Sequence, residues 1–389
     1  LEDVNIKGKD YTGGLVGWAN NSTSITNSYA TGSVTGREKT GGLVGRANNS
    51  TSITNSYATG SVEGTGSYTG GLVGWANNST SITNSYATGS VTGSDSTGGL
   101  VGTAYESSIS NSYATGSVSS GSYYTGGLVG WAIHSTKITN SYATGEVTGE
   151  GYYTGGLVGY AHSSTTITNS YATGSVSGGG YFTGGLVGSA YSSTTITNSY
   201  ATGSVEDTGS YTGGLVGYAE DSTITNSYAT GSVIGGNWTG GLVGLAYESS
   251  ISNSYATGSV TGSDSTGGLV GEASTSTEIT NSYATGSVTG TRYTGGLVGT
   301  AYESSITNSY ATGSVTGKDF TGGLVGRAIH STKITNSYWD TETTGQNSSA
   351  GGEGAIGKST NDMKIKDTYI GWDFDTIWQI DDDSYPTLR

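Results

Sequence analysis

The sequence has no cysteine, a single proline (Pro386), a single methionine and three histidines in 389 residues, and each scarcity removes a class of explanation. Without cysteine there is no disulfide framework, no thiol nucleophile and no cysteine-ligated metal. One proline excludes a proline-rich linker, and the 70 glycines lack the every-third-residue spacing of collagen. Charged residues make up 11% and the net charge is −15, with 19 acidic against 10 basic residues in 1–336 and 10 against 4 in 337–389. An acidic chain without a basic stripe is a poor partner for nucleic acid or an anionic membrane. No apolar run approaches the ~18 residues of a membrane-spanning helix, and no secretory signal precedes Leu1, which fits a mature product or a fragment.

What is abundant is repetition. Thr-Gly-Gly-Leu-Val-Gly begins at Thr12 and recurs at Thr40, Thr69, Thr97, Thr125, Thr154, Thr183, Thr212, Thr239, Thr266, Thr294 and Thr321, a spacing of 27 to 29 residues. A fixed period of this size is the signature of a solenoid or array, whose core grows along one axis as each unit buries its apolar face against its neighbours. Gly, Ser and Thr are enriched as in disordered chains, but Leu, Val, Ile, Ala and Tyr return at fixed offsets, which disorder does not require.

Within the unit starting at Thr12, the positions of Leu15, Ala19, Ile25 and Val34 keep their identity from copy to copy, as core positions should. The position after the motif holds Trp18, Arg46, Trp75, Thr103, Trp131, Tyr160, Ser189, Tyr218, Leu245, Glu272, Thr300 and Arg327, a mixture that faces solvent. Alternation along a strand then sends Leu15, Gly17 and Ala19 inward. The inward set Ala30, Gly32 and Val34 has the opposite parity to Ile25, so the chain turns a corner at Asn27-Ser28. Gly13-Gly14 and the Gly-rich stretch at 36–40 supply the other corners, where left-handed or tight backbone is needed.

This pattern predicts an all-β fold: a parallel β-helix (β-solenoid) of about twelve 27–29-residue coils, three short strands to a coil, with residues 1–336 as the array and 337–389 as a C-terminal cap. Coils spaced about 4.8 Å apart would make a rod on the order of 60 Å. Asn27 and its equivalents would form a corner ladder of amides. A propeller array is the alternative, although its blades need about 40 residues. The tyrosines at Tyr29, Tyr57, Tyr86 and onward either stack outside or fill a core of small residues.

Gly-Gly-Leu-Val-Gly followed by Ile-Thr-Asn-Ser-Tyr-Ala-Thr-Gly-Ser-Val resembles the GLUG repeat family of large bacterial and archaeal surface proteins, which includes some adhesins and immunoglobulin-cleaving peptidases. The likeness runs over residues 11–345, and Ser337-Tyr338-Trp339-Asp340, Gly371-Trp372-Asp373-Phe374, Ile377-Trp378-Gln379-Ile380 and Tyr385-Pro386-Thr387-Leu388 look like the segment that closes such arrays. The resemblance implies an extracellular, cell-surface β-solenoid without catalysis by the repeats. The His-Glu-x-x-His motif of the peptidase relatives is absent.

An open β-helix end exposes strand edges and core, so Trp372, Phe374, Ile377, Trp378, Ile380 and Leu388 are expected to cover it, with Asp381-Asp382-Asp383 outermost. At the other end the chain enters in mid-repeat, leaving an assembly edge at Val4, Ile6 and Leu15 that either upstream chain or another molecule would cover. Head-to-tail self-association is one partner expectation.

The aromatic pattern is the main functional signal. The residue before Thr-Gly-Gly is aromatic at Tyr11, Tyr68, Tyr124, Tyr153, Phe182, Tyr211, Trp238, Tyr293 and Phe320, and Trp18, Trp75 and Trp131 lie nearby. Such rings offer a stacking track for a glycan or host-surface ligand, a face for lateral packing, or cover for the glycine corners. No catalytic, cofactor or metal residues are assigned: His134 and His330 sit in near-copied units, and Glu106, Glu248 and Glu303 recur in equivalent loops. Asn20, Asn21, Asn48, Asn49, Asn77, Asn78, Asn237 and Asn347 stand in Asn-x-Ser/Thr sequons. The leading expectation is a non-enzymatic adhesin, stalk or fibre subunit. A self-assembling filament, an ice-binding surface built on Thr31 and Ser33, and a polysaccharide-degrading β-helix are the alternatives.

Overall fold

The computed structural model describes residues 1–389 in two compact units, Leu1–Thr208 and Gly209–Arg389. Both are built from turns of parallel β-solenoid, with the strands of each turn hydrogen-bonded to their equivalents one period away; the closing segment of the second unit adds a short antiparallel pair, Trp378–Gln379 with Thr387–Leu388, and two four-residue helices. The Thr-Gly-Gly strand occurs seven times in the first unit and five times in the second.

One turn of the first unit shows the plan: strands Glu38–Gly41, Val44–Ala47, Ser52–Thr54, Tyr57–Ala58 and Val62–Gly64. There are five strands rather than the three expected. Parity arguments detect a change of facing, but they miss a corner that interrupts a strand without changing which residues are buried. Leu43 and Val44 are such a case, since both amides donate to the Leu72 carbonyl and both side chains are fully buried. Register is exact between identical residues: Thr69 lies on Thr40, Ile82 on Ile53 and Tyr86 on Tyr57.

The interior is a set of single-residue columns. Leu72, Ile82, Ala76 and Val73 are wholly buried, as are their counterparts in the second unit, such as Leu242, Ile251, Ala246 and Val243. Burying each of these Leu, Ile and Val side chains contributes about 1.5–3 kcal/mol, and each alanine methyl about 0.8. A threonine column also runs through the core: Thr40, Thr69, Thr97, Thr125 and Thr154 are buried at the strand the motif opens. Sequence reading used this threonine only as a marker and did not assign it to the interior.

The corners are made by hydrogen-bonded ladders. Asn27 takes φ 50°, as do its equivalents within a few degrees, and Nδ2 of Asn55 donates to Oδ1 of Asn27 at 3.3 Å, Asn84 to Asn55 at 3.3 Å, and Asn140 to Asn111 at 3.2 Å. Asparagine suits the site because its short amide tolerates left-handed backbone. The following serine completes the corner: Ser56 Oγ donates to the Thr54 carbonyl and accepts the Ser28 amide.

The Gly-Gly pair, by contrast, does not supply left-handed backbone. Gly42 is required because a Cβ there would overlap the Gly71 carbonyl and crowd Ala58, so the turns could not close to stacking distance. In ten of the twelve turns the left-handed residue is instead the one before the threonine, with Tyr11 at φ 55°, Tyr68 at 69°, Trp238 at 55° and Tyr293 at 54°; Tyr124 and Tyr153 are the exceptions.

In the second unit the closing segment is arranged differently from the expectation. The end of the last turn is covered by residues 339–358: Trp339 packs on Gly323 and donates Nε1–H to the Gln346 carbonyl, Ala350 N donates to the Val325 carbonyl, and Ala355–Lys358 adds a parallel strand to Ser337–Asp340. Trp372, Phe374 and Trp378 do not lie over that end. They are buried along the side of the solenoid, against the tyrosine column Tyr283, Tyr310 and Tyr338, together with Met363 and Tyr369; Ile377, Ile380 and Leu388 pack at the margin of this cluster. Asp340 joins the two parts, capping the short helix Thr341–Thr344 and accepting hydrogen bonds from Thr360 at 2.7 Å and Tyr385 at 2.6 Å.

Candidate ligand-facing aromatic seam

Exact register turns three repeated sequence positions into two rows of rings. The first row is the tyrosine column. Tyr57 and Tyr86 stack at 4.8 Å with planes 2° apart, Tyr86 and Tyr113 at 4.9 Å and 1°, Tyr142 and Tyr171 at 4.9 Å and 3°. These rings are half-buried on the outer face, which resolves the earlier choice in favour of an outer stack; only where the closing segment lies on them are Tyr283, Tyr310 and Tyr338 buried. Burial drives the Tyr310 hydroxyl far above the usual tyrosine range, with Tyr283 adding to the effect, and Tyr310 OH donates to the Pro386 carbonyl at 2.6 Å.

The second row is the seam formed by the residue before each Thr-Gly-Gly and the residue after each motif. Within one turn the two positions face each other: Tyr68 stacks on Trp75 at 5.1 Å, Tyr124 on Trp131 at 4.8 Å, Tyr153 on Tyr160 at 4.7 Å, and Tyr11 on Trp18 at 5.8 Å. Along the axis Tyr124 stacks on Tyr153 at 5.2 Å and Tyr153 on Phe182 at 5.1 Å, and in the second unit Tyr211 stacks on Trp238 at 4.7 Å. Cations are inserted among the rings. Lys39 Nζ lies 5.2 Å from both Tyr11 and Tyr68, and the Arg46 guanidinium lies 5.4 Å from Trp18 and 4.6 Å from Trp75. Outside this seam Tyr123, Tyr152 and Tyr181 form a shorter, exposed stack at 5.5 and 5.6 Å. Sequence reading had not singled out those three; the repeated Tyr-Tyr and Tyr-Phe doublets were the available signal.

The position after the motif is therefore not simply solvent-facing. Its large residues are half-buried in the seam, whereas Thr103, Ser189 and Thr300 are buried, shorter than the rings around them. Trp18, 53% exposed, is the open end of the row in the first unit, and Phe320, 64% exposed, that of the row in the second.

The remaining candidates fall elsewhere. Val4 and Ile6 are half-buried in a strand paired with Gly32–Gly36, while Leu15 is 40% exposed and its equivalents Leu43 and Leu72 are fully buried. Glu106, Glu248 and Glu303 sit at left-handed corners with φ of 46 to 48°. His134 and His330 are exposed, and no three His, Asp or Glu side chains converge as metal ligands would. Asn48 and Asn77 are buried in a second amide ladder, Asn48 donating to Asn20 at 3.1 Å and Asn77 to Asn48 at 2.9 Å, so their sequons serve the corner.

Comparison with known proteins agrees with this geometry. The family model described as the GLUG motif matches eleven consecutive segments from residue 10 to residue 316. The last Thr-Gly-Gly turn, from Thr321, and the closing segment lie outside the match. A "Putative Gly-rich membrane protein" of Evansella cellulosilytica is 45% identical over 58 residues, which is 14% of this chain and 6% of that protein. No solved structure matches.

Proposed function

Because the chain belongs to the GLUG-motif family, with eleven tandem motifs, we propose that it is a non-enzymatic scaffold of the cell surface that meets glycans through its aromatic seam. The observation that carries this reading is the seam itself. Ring pairs at 4.7–5.8 Å recur in four turns of the first unit, largely half-open to solvent, and the residue before Thr-Gly-Gly is aromatic in nine of the twelve turns. At Tyr11, Tyr68, Phe182, Tyr211, Trp238, Tyr293 and Phe320 the ring stands on left-handed backbone, which is costly under an aromatic side chain and supports a use for the ring beyond shaping the turn. Stacked rings interleaved with cations suit sugars, whose C–H faces pack on aromatic rings and whose hydroxyls need polar partners.

The uniformity of the turns, repeated with the same strands from copy to copy, supports a structural role. The Gly-rich membrane protein that shares 58 residues with this chain supports a cell-envelope location, although the matched part is only 6% of that protein. No helix of this chain is long and apolar enough to cross a membrane. Two measurements test the reading. Antibody labelling and protease shaving of intact cells should find the chain outside, and the purified chain should be retained on immobilised polysaccharide. A chain confined to the cell interior, or retained on no polysaccharide, contradicts the corresponding half of the proposal.

A further inference from the structure

The seam has gaps, and the gaps differ. Lys39, Ser96 and Ser265 stand where the other turns place a ring before Thr-Gly-Gly. At Lys39 the chain fills the gap itself, with the ammonium 5.2, 5.2 and 5.1 Å from Tyr11, Tyr68 and Trp75. At Ser96 the gap is shut: Ser96 is 1% exposed and Thr103 beside it 2%. At Ser265, in the second unit, the serine is buried as well, at 4%, with Thr300 at 5%, but the space over them is open. A cavity of about 240 Å³ lies there, bordered by Trp238 from the turn before and Tyr293 from the turn after.

Two turns separate those rings, so their levels are about 9.6 Å apart, which is room for one further ring at ordinary stacking distance. The floor is the hydroxyl pair Ser265 and Thr300, bonded to each other at 2.7 Å. The walls carry both signs of charge. Glu272 accepts the Trp238 indole N–H at 2.8 Å, and Asp264 faces Arg292 at 3.6 Å. The guanidiniums of Arg292 and Arg327 lie 4.6 and 4.7 Å from the Tyr293 ring.

We propose that this slot binds a single pyranose ring of a neutral glycan, stacked beside Trp238 and hydrogen-bonded by Asp264 and Glu272 as acceptors and by Arg292 as donor. The inference rests on the glycan-contact reading above and gives it a location. A pyranose presents hydroxyls that both donate and accept, which matches a rim of alternating acids and guanidiniums. A planar hydrocarbon would strip water from four charged groups and give them nothing in return. A cation would meet two guanidiniums already in place, and an anion two carboxylates.

The test uses the full chain and a panel of methyl hexopyranosides (gluco, galacto and manno) with their β-linked disaccharides, followed by saturation-transfer NMR and titration calorimetry. At least one sugar should bind. Ser265→Tyr, which restores the residue type carried by neighbouring turns, should weaken it tenfold or more with an unchanged circular dichroism spectrum, and Trp238→Ala should do the same. Ser96→Tyr, at the shut gap, should leave affinity unchanged. Should Ser265→Tyr fail to fold, Trp238→Ala decides alone. If a glycan binds and both slot variants bind it equally well, the slot assignment is overturned while the seam reading stands. If no member of the panel and no polysaccharide binds, both fall.

Discussion

Replacing Asn140 separates the two contributions of the asparagine corner. Its side chain takes part in two exposed ladder bonds, donating to Asn111 at 3.2 Å and accepting from Asn169 at 3.2 Å, and its backbone sits at φ 50°. Each amide bond contributes about 0.5–1.5 kcal/mol, nearer the lower figure when exposed, so loss of both should cost about 1–2 kcal/mol. Asn140→Gly loses the bonds but keeps an unstrained left-handed residue. Asn140→Ala loses them and adds about 1–2 kcal/mol for a Cβ in that conformation, giving about 2–4 kcal/mol in all. Urea unfolding followed by circular dichroism gives the totals, and hydrogen exchange at the neighbouring turns locates the loss. The order should be wild type, then glycine, then alanine. Equal destabilisation by glycine and alanine would refute the left-handed corner, and no destabilisation by glycine would refute the ladder as a source of stability.

Ile167→Asp should cost several kcal/mol, since Ile167 is fully buried between Ile138 and Ile196 and the carboxylate would find no partner, while Thr59→Asp on the outer face should change stability by about 0.5 kcal/mol or less; thermal melts of the two variants check this. Alkaline pH should loosen the closing segment. Burial and then the bond to Asp340 push Tyr385 up to about 12, and burial raises Tyr310, Tyr283 and Tyr369 as well, against about 10 in an unfolded chain. The Tyr385 contribution is intact below about pH 10 and is lost as pH rises through about 12, and those of the more strongly raised tyrosines are lost higher still, so phenolate absorbance and tryptophan fluorescence should change together in and above that window. Titration of every tyrosine near 10 in the folded protein would contradict it. At the acid side, burial favours protonation of Asp340, but bonds from Tyr385, the Thr343 amide and Thr360 outweigh it and hold the carboxyl below its ordinary range. Asp340→Asn should therefore detach the closing segment near neutral pH, seen as increased exchange of the Trp378 indole.

The solenoid was legible because its period, its invariant aliphatic positions and its Asn-Ser corner each appear as identities at fixed offsets. The strand count was not, since a corner such as Leu43-Val44 leaves both residues buried and prints no change of polarity. The glycines were read as left-handed because turns usually ask that of glycine; here Gly42 answers to the carbonyl of the next turn, a contact visible only once turns are stacked. The seam rings were named residue by residue, but their pairing across the motif, Tyr68 on Trp75 and Tyr124 on Trp131, depends on the path of the backbone between them. The closing aromatics were recognised as a group and placed over the wrong surface, because sequence shows that Trp372 and Trp378 need cover without showing that the tyrosine column offers it.

All of this depends on in-register stacking of identical positions, and a single distance tests it. The chain has no cysteine, so spin labels can be placed cleanly at Ser24→Cys and Lys137→Cys, exposed residues at the same strand position four turns apart in the first unit. Electron–electron double resonance should give a narrow distribution near 19 Å, four spacings of about 4.8 Å, broadened only by the label linkers. A broad distribution, or a separation beyond about 35 Å, would contradict the stacking.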